Sequence, residues 1–171
     1  VLAALAPTLL LGIPAGVAQP EPVWQVCFTP DEDCTGLVIR GIQAARKTIL
    51  VQAYAFTSRP IARSLADAKR RGLDVRVILD ASNRGDRRSV ADFLAHVGIP
   101  VLIDARHRAA HNAVMIIDGE TVLTGSFDFT QAAQLDNAEN LLVIHSWPLA
   151  RHYEENWQRH AAHSEIYEGR G

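Results

Sequence analysis

The stretch that decides the reading is His111-Asn112-Ala113-Val114-Met115-Ile116-Ile117-Asp118-Gly119-Glu120-Thr121-Val122-Leu123-Thr124-Gly125-Ser126-Phe127-Asp128-Phe129. Two apolar runs, Ala113 to Ile117 and Thr121 to Thr124, flank the turn signal Asp118-Gly119-Glu120. Together they predict a β-hairpin. His111 stands just before the first run, where an imidazole can be held at the edge of a sheet. Gly125-Ser126 leaves the second run, where a small residue lets backbone and hydroxyl approach a ligand. Downstream, Asn137-Ala138-Glu139-Asn140 sets a carboxylate at the mouth of a further strand. A carboxylate that accepts a hydrogen bond from an imidazole fixes its tautomer and supports nucleophilic attack.

Working outward, strand and helix signals alternate. Val23 to Phe28 reads as a short strand, Leu37 to Arg46 as a helix, and Thr48 to Phe56 as a buried β-branched and aromatic strand. Ser58 is placed to cap a helix that starts near Arg59-Pro60 and ends before Gly72. Val75 to Leu79 is a strand, Ser89 to Val97 a helix closed by Gly98, and Ile99 to Ile103 a short strand. Gly125 to Gln134 is a loop running into a short helix, Asn140 to His145 a strand, and Leu149 to Ala162 a closing helix carrying Trp157. This alternation predicts an α/β fold, a mixed sheet flanked by helices on both faces.

The 171 residues suffice for one domain with one core. A 48% apolar and 21% charged composition is that of an ordinary globular chain, and the net charge of -2 excludes little. Of 17 basic residues only Lys47 and Lys69 are lysines. Residues 1–18 carry no charge and end in Ala15-Gly16-Val17-Ala18, a small-x-small pattern suited to signal peptidase. The expectation is a signal peptide over 1–18, a domain over 19–171, and a periplasmic or secreted product; a membrane anchor is the alternative. No second apolar run is long enough to span a bilayer. Export permits a disulfide, and Cys27 and Cys34 are the only cysteines. Either they bridge locally and staple the start of the first helix, or they are two free thiols. Neither lies in a Cys-x-x-Cys motif, so no metal or redox role is expected of them.

The hairpin stretch resembles the phospholipase D superfamily motif, His-x-Lys-x4-Asp-x6-Gly-Ser: His111, Asp118, Gly125 and Ser126 fall at matching positions. The segments Val26 to Pro30, Ala53 to Ser58, Ala68 to Val75, Thr124 to Phe127 and Asn137 to Asn140 are similar to the family's small bacterial endonuclease branch. The resemblance implies a phospholipase D-like α/β/α sandwich and a phosphodiesterase that needs no cofactor and no metal. It implies a homodimer, because the mechanism takes two motifs and this chain has one. His111 would be nucleophile in one copy, forming a phosphohistidine, and general acid in the other. Glu139 would orient it, Ser126 would contact the phosphate, and Asp118 would hold the motif's structure. DNA or RNA, cleaved without strong sequence preference, is the expected substrate; a phospholipid is the alternative.

Two positions depart from the pattern. The motif lysine is replaced by Ala113, and the asparagine common in this branch by Asp128. Loss of one such oxyanion stabiliser costs about 10²–10³ in rate. A carboxylate roughly 4 Å from a phosphate charge is repelled by about 4 kcal/mol at an effective dielectric near 20. A dimer that binds phosphodiesters without turnover is therefore a second reading. Arg106, His107 and Arg108 either fold toward the motif as substitute cations or form a solvated loop. His107 and His111 with Asp104 make a weaker, metal-binding reading, which lacks any supporting shell of residues. Trp147, Trp157 and Phe127 are candidates to stack on bases.

Overall fold

A computed structural model describes residues 23–170. The expected signal peptide lies outside the described residues. The elements run β1 (Val23–Phe28), α1 (Cys34–Ala44), β2 (Thr48–Ala53), α2 (Arg59–Arg70), β3 (Asp74–Asp80), a 3-10 turn (Ala81–Arg84), α3 (Ala91–His96) and β4 (Val101–Asp104). They continue through β5 (Ala113–Ile117), β6 (Thr121–Gly125), α4 (Gln131–Leu135), β7 (Asn140–His145), α5 (Trp147–Ala161) and β8 (Glu165–Tyr167). The eight strands form one mixed sheet in the order β1-β7-β6-β5-β2-β3-β4-β8. Strands β2, β3 and β4 are parallel, and the remaining pairs are antiparallel.

The period of two along each strand divides the core. Ile49, Val51, Val75, Val77, Met115 and Leu123 join Leu37, Val38 and Ile42 of α1, Ile61 and Leu65 of α2, and Leu94 of α3. The intervening Leu50, Ile78, Val114, Ile116 and Val122 face Ala150 and Trp157 of α5. The sandwich expected from the sequence is the one observed. Trp157 is 2% exposed, and its indole N–H donates to the Val51 carbonyl at 2.9 Å. Truncating it to Ala would cost about 3–5 kcal/mol.

Cys27 and Cys34 are bridged, with Cα atoms 5.6 Å apart, joining β1 to the first residue of α1. Ser58 occupies the N-cap of α2, but its hydroxyl caps nothing. One of the two amides it would reach belongs to Pro60, which has no N–H. The Ser58 N–H instead donates to the Phe129 carbonyl, tying α2 to the segment after the hairpin. The sequence gives no warning of β8, three residues on the sheet's edge; Asp92 of α3 anchors it by accepting from the Tyr167 hydroxyl at 2.6 Å.

Candidate active site

Strand register brings one end of the sheet together. Ala53 pairs with Ala113, Val114 with Thr124, Gly125 with Leu141, and Phe28 with Asn140. The chain therefore leaves β2, enters β5, leaves β6 and enters β7 along one edge, the carboxyl edge of the parallel strands, where open α/β sheets bind ligands.

His111 is exposed on this edge and held from both sides. Before it, buried Asp80 accepts the Ala110 N–H at 2.8 Å. After it, the Asn112 carbonyl accepts the Tyr54 N–H at 2.7 Å. The imidazole packs on the Tyr54 ring, with centroids 4.4 Å apart and planes tilted by 30°. Burial alone would raise the Asp80 carboxyl, but hydrogen bonds from Ser82, Ala110 and Ala81 outweigh it and hold it below the ordinary aspartate range. The loop is thus gripped by an ionised carboxylate, and the His111 ring is left open to solvent on one side. Asp80 escapes notice in the sequence, because its carboxylate works on a backbone amide 30 positions away; Tyr54 lies in a segment the resemblance picks out, but nothing local announces its ring contact with His111.

Ser126 follows β6. Its Oγ accepts the Asn140 N–H at 3.0 Å and the Asn140 Nδ2 at 3.2 Å, so its own proton is left to donate. A Cβ at Gly125 would lie 2.2 Å from the Asn140 carbonyl oxygen, so the small residue makes room for the neighbouring strand.

Glu139 precedes β7 and is fixed by Thr29. The Thr29 hydroxyl accepts the Glu139 N–H at 3.1 Å and donates to the Asn137 carbonyl at 3.0 Å. The Glu139 carboxylate accepts from Asn137 Nδ2 at 2.9 Å rather than from His111. Asp128 sits among these charges. Burial pushes its carboxyl up, His111 pulls it down, and nearby Glu139 raises it again, with a net upward shift. Ala113 opens β5 with its methyl partly exposed, so the position of the missing lysine is on the same edge.

Asp118 is not there. It stands at the opposite end of the β5–β6 hairpin, with φ of 54° beside Gly119 at 68°, the pair of positive angles that suits a tight hairpin turn. Its carboxylate accepts the N–H groups of Arg46, Lys47 and Thr48 at 2.8, 2.7 and 2.9 Å. Burial opposes ionisation, but these three amides prevail and lower its pKa. Its role is to fasten the hairpin to the start of β2.

The other candidates separate. Arg106 and Arg108 are exposed, while the His107 Nδ1 lies 3.1 Å from both carboxylate oxygens of Asp104. His111 is not part of that group; His160 and His163 are. Phe127 and Trp157 are core residues and cannot stack on bases, whereas Trp147 is 60% exposed.

The α/β sandwich thus carries the His111 imidazole, the Ser126 hydroxyl and the Asp128 and Glu139 carboxylates along the carboxyl edge of its sheet. Residues 38–161 match the family model described as "Cardiolipin synthase, PLD-like domain". The chain is 43% identical over 131 residues to a protein named phospholipase D from Rickettsia bellii, across 77% of this chain and 65% of that one. It is 29% identical over 141 residues to the mitochondrial cardiolipin hydrolase of Mus musculus, across 82% of this chain and 64% of that one. It thus spans just under two thirds of these curated relatives. The structure of a phospholipase D family member, Nuc from Salmonella typhimurium, superposes with a TM-score of 0.84 at 36% identity, covering 87% of this chain and 100% of that one. The chain belongs to the phospholipase D superfamily.

Proposed function

We propose that this chain is a phosphodiesterase that cleaves nucleic acid backbones without strong sequence preference, working as a homodimer in an oxidising compartment. The observation that carries the reading is His111, restrained on both sides yet open to solvent, with Ser126, Asp128 and Glu139 along the same edge.

The imidazole of one copy attacks phosphorus and the bond to the leaving alcohol breaks. The leaving oxygen takes a proton from the imidazolium of the second copy's His111. Water then attacks the phosphohistidine, the second imidazole accepts its proton, and the phosphate monoester departs. No metal or cofactor is assigned a step. The Ser126 hydroxyl donates to a phosphate oxygen. The dimer is supported by the single copy of the motif in this chain, whose mechanism takes two, and by the exposed Phe28, which ends β1 beside Asn140. The Cys27–Cys34 bridge supports a periplasmic or secreted location.

Relatives bear names that point to phospholipids. A polyanion is favoured here by a groove lined by Thr57 and Ser58, whose amides hold Phe129 beside Asp128, and by Arg59, Arg87 and Arg88, three guanidinium groups against the two carboxylates of Asp33 and Asp136. Guanidinium groups suit a run of phosphates. The second reading, a dimer that binds without turnover, rests on Ala113 and Asp128.

Purified protein incubated with plasmid DNA in EDTA, beside anionic phospholipid vesicles, decides among these. Plasmid cleavage that is lost in His111→Ala supports the proposal. Headgroup release without plasmid cleavage transfers the activity to lipid. DNA retained in a gel but never cut establishes the binder. A purely monomeric sedimentation profile at micromolar concentration removes the second imidazole and ends the mechanism.

A further inference from the structure

We propose that Asp104, His107, His160 and His163 form a structural zinc site that fastens the end of α5 to the loop delivering His111. The four residues come from separate places: the last residue of β4, the loop after it, the last turn of α5 and the segment just beyond. They converge on a carboxylate with no exposed surface. His160 Nδ1 lies 2.7 Å and His107 Nδ1 3.1 Å from Asp104 Oδ2, and His163 Nε2 lies 3.3 Å from Oδ1. The three imidazoles make a nearly equilateral triangle, with centroids 5.1, 5.3 and 5.3 Å apart and tilted rather than stacked planes.

A hydrogen-bond hub accounts for this arrangement incompletely. The Asp104 carboxylate already accepts the Arg106 N–H at 3.1 Å and must serve three rings besides. The His163 Nε2 is buried, and its one close approach, 3.3 Å to Asp104 Oδ1, falls short of a well-formed hydrogen bond. A buried polar nitrogen without a partner costs about 1–3 kcal/mol, so a ligand that takes its lone pair resolves an otherwise unexplained expense. One potential donor atom from each of the four residues lies within 4.8 Å of every other. Tetrahedral zinc with bonds of about 2.0–2.1 Å sets its donors roughly 3.3 Å apart, so the widest gap must close by no more than about 1.5 Å.

The donor set selects the ion. Three imidazole nitrogens and one carboxylate oxygen suit a borderline cation, and a tetrahedral cage favours zinc over metals that prefer square or octahedral surroundings. All four positions are filled by protein, the pattern of a structural site rather than a catalytic one. His107 lies four residues before His111, and Asp80 grips Ala110 between them. Zinc would therefore fix the near end of that loop, as Tyr54 fixes the far end. The site stands apart from the phosphodiester chemistry, and its test does not depend on finding a substrate.

Untagged protein is to be dialysed against zinc chloride, and bound metal measured by elemental analysis alongside thermal unfolding. One zinc per chain is expected, with Tm raised by roughly 5–10 °C at a zinc concentration about 100-fold above Kd. Cobalt in place of zinc should give the visible absorption of a tetrahedral centre. His107→Ala, on an exposed loop, and His163→Ala should each lose the cobalt spectrum and the zinc-dependent Tm shift. His152→Ala, on the exposed face of α5, should keep both. A folded wild-type protein that binds well under one zinc and melts at the same temperature with and without it overturns the proposal, whatever becomes of the variants. So does unchanged zinc binding in His163→Ala.

Discussion

The two ends of the β5–β6 hairpin are built on opposite plans. At the Asp118 end, one carboxylate takes three backbone amides and the turn carries two positive φ angles. The Asp118 carboxylate there is consumed by the fold. At the His111 end, the backbone is held by Asp80 and Tyr54, yet the imidazole makes no side-chain hydrogen bond among the described residues, and Ser126 keeps a proton to give. One motif thus has two unlike ends, a carboxylate tied into the fold at one and an imidazole and a hydroxyl proton left uncommitted among the described residues at the other. A motif residue's place in the sequence says that it matters; only the partners of its polar atoms say for what.

The comparison breaks most visibly if His111 is not the nucleophile. His111→Ala should reduce plasmid cleavage by on the order of 10⁴ or more while leaving the unfolding midpoint nearly unchanged. A variant that melts early would move His111 into the same structural class as Asp118. Ala113→Lys comes next. It restores a cation at the reacting end, and cleavage should rise about 10²–10³-fold in a gel or fluorescent assay. No gain, even when combined with Asp128→Asn, would mean that the phosphate binds elsewhere.

Asp118→Ala probes the other end and should do the reverse. Losing a charged acceptor shared by three partly solvated amides should cost about 1–3 kcal/mol in denaturant unfolding, with turnover per folded molecule little altered. The pH dependence carries its own signature. Asp118 has a lowered pKa, so its stabilisation is complete above the ordinary aspartate range and disappears as the pH falls through the lowered value. The stability gap between wild type and variant should therefore narrow on acidification and close in strong acid.

How much of this was legible in the sequence varies with how locally each feature is encoded. Strands β1, β5 and β7 match their sequence expectation residue for residue, because β-branched runs end at turn residues on both sides. The family was legible because His111, Asp118, Gly125 and Ser126 sit at fixed intervals along one hairpin. The support was not. Thr29 reaches Glu139 across 110 positions, and Asp80 reaches Ala110 across 30. No local pattern announces either contact. The histidine cluster lies between these cases. Asp104-x2-His107 and His160-x2-His163 both have the spacing of neighbours on a helical turn, and that repeated interval was the available signal. What the sequence lacked was the knowledge that α5 crosses the sheet and ends beside β4.

The smallest effect is expected at Asp128, and it sharpens the contrast with Asp118 because the two aspartates shift in opposite directions. Burial and the Glu139 charge raise the Asp128 pKa, with His111 opposing them. The folded state therefore prefers the neutral acid. No penalty exists below the ordinary aspartate range; it grows as the pH rises through the raised value and is then constant. Asp128→Asn fixes the neutral form, so its Tm should equal that of the wild type in acid and exceed it modestly at neutral pH, a gap that widens where the Asp118→Ala gap has also opened but with the opposite sign. Activity should follow the same course, since a neutral side chain at this position no longer repels a phosphate. A Tm for Asp128→Asn that tracks the wild type at every pH would show that the carboxylate is solvated and that the reacting end carries no electrostatic strain.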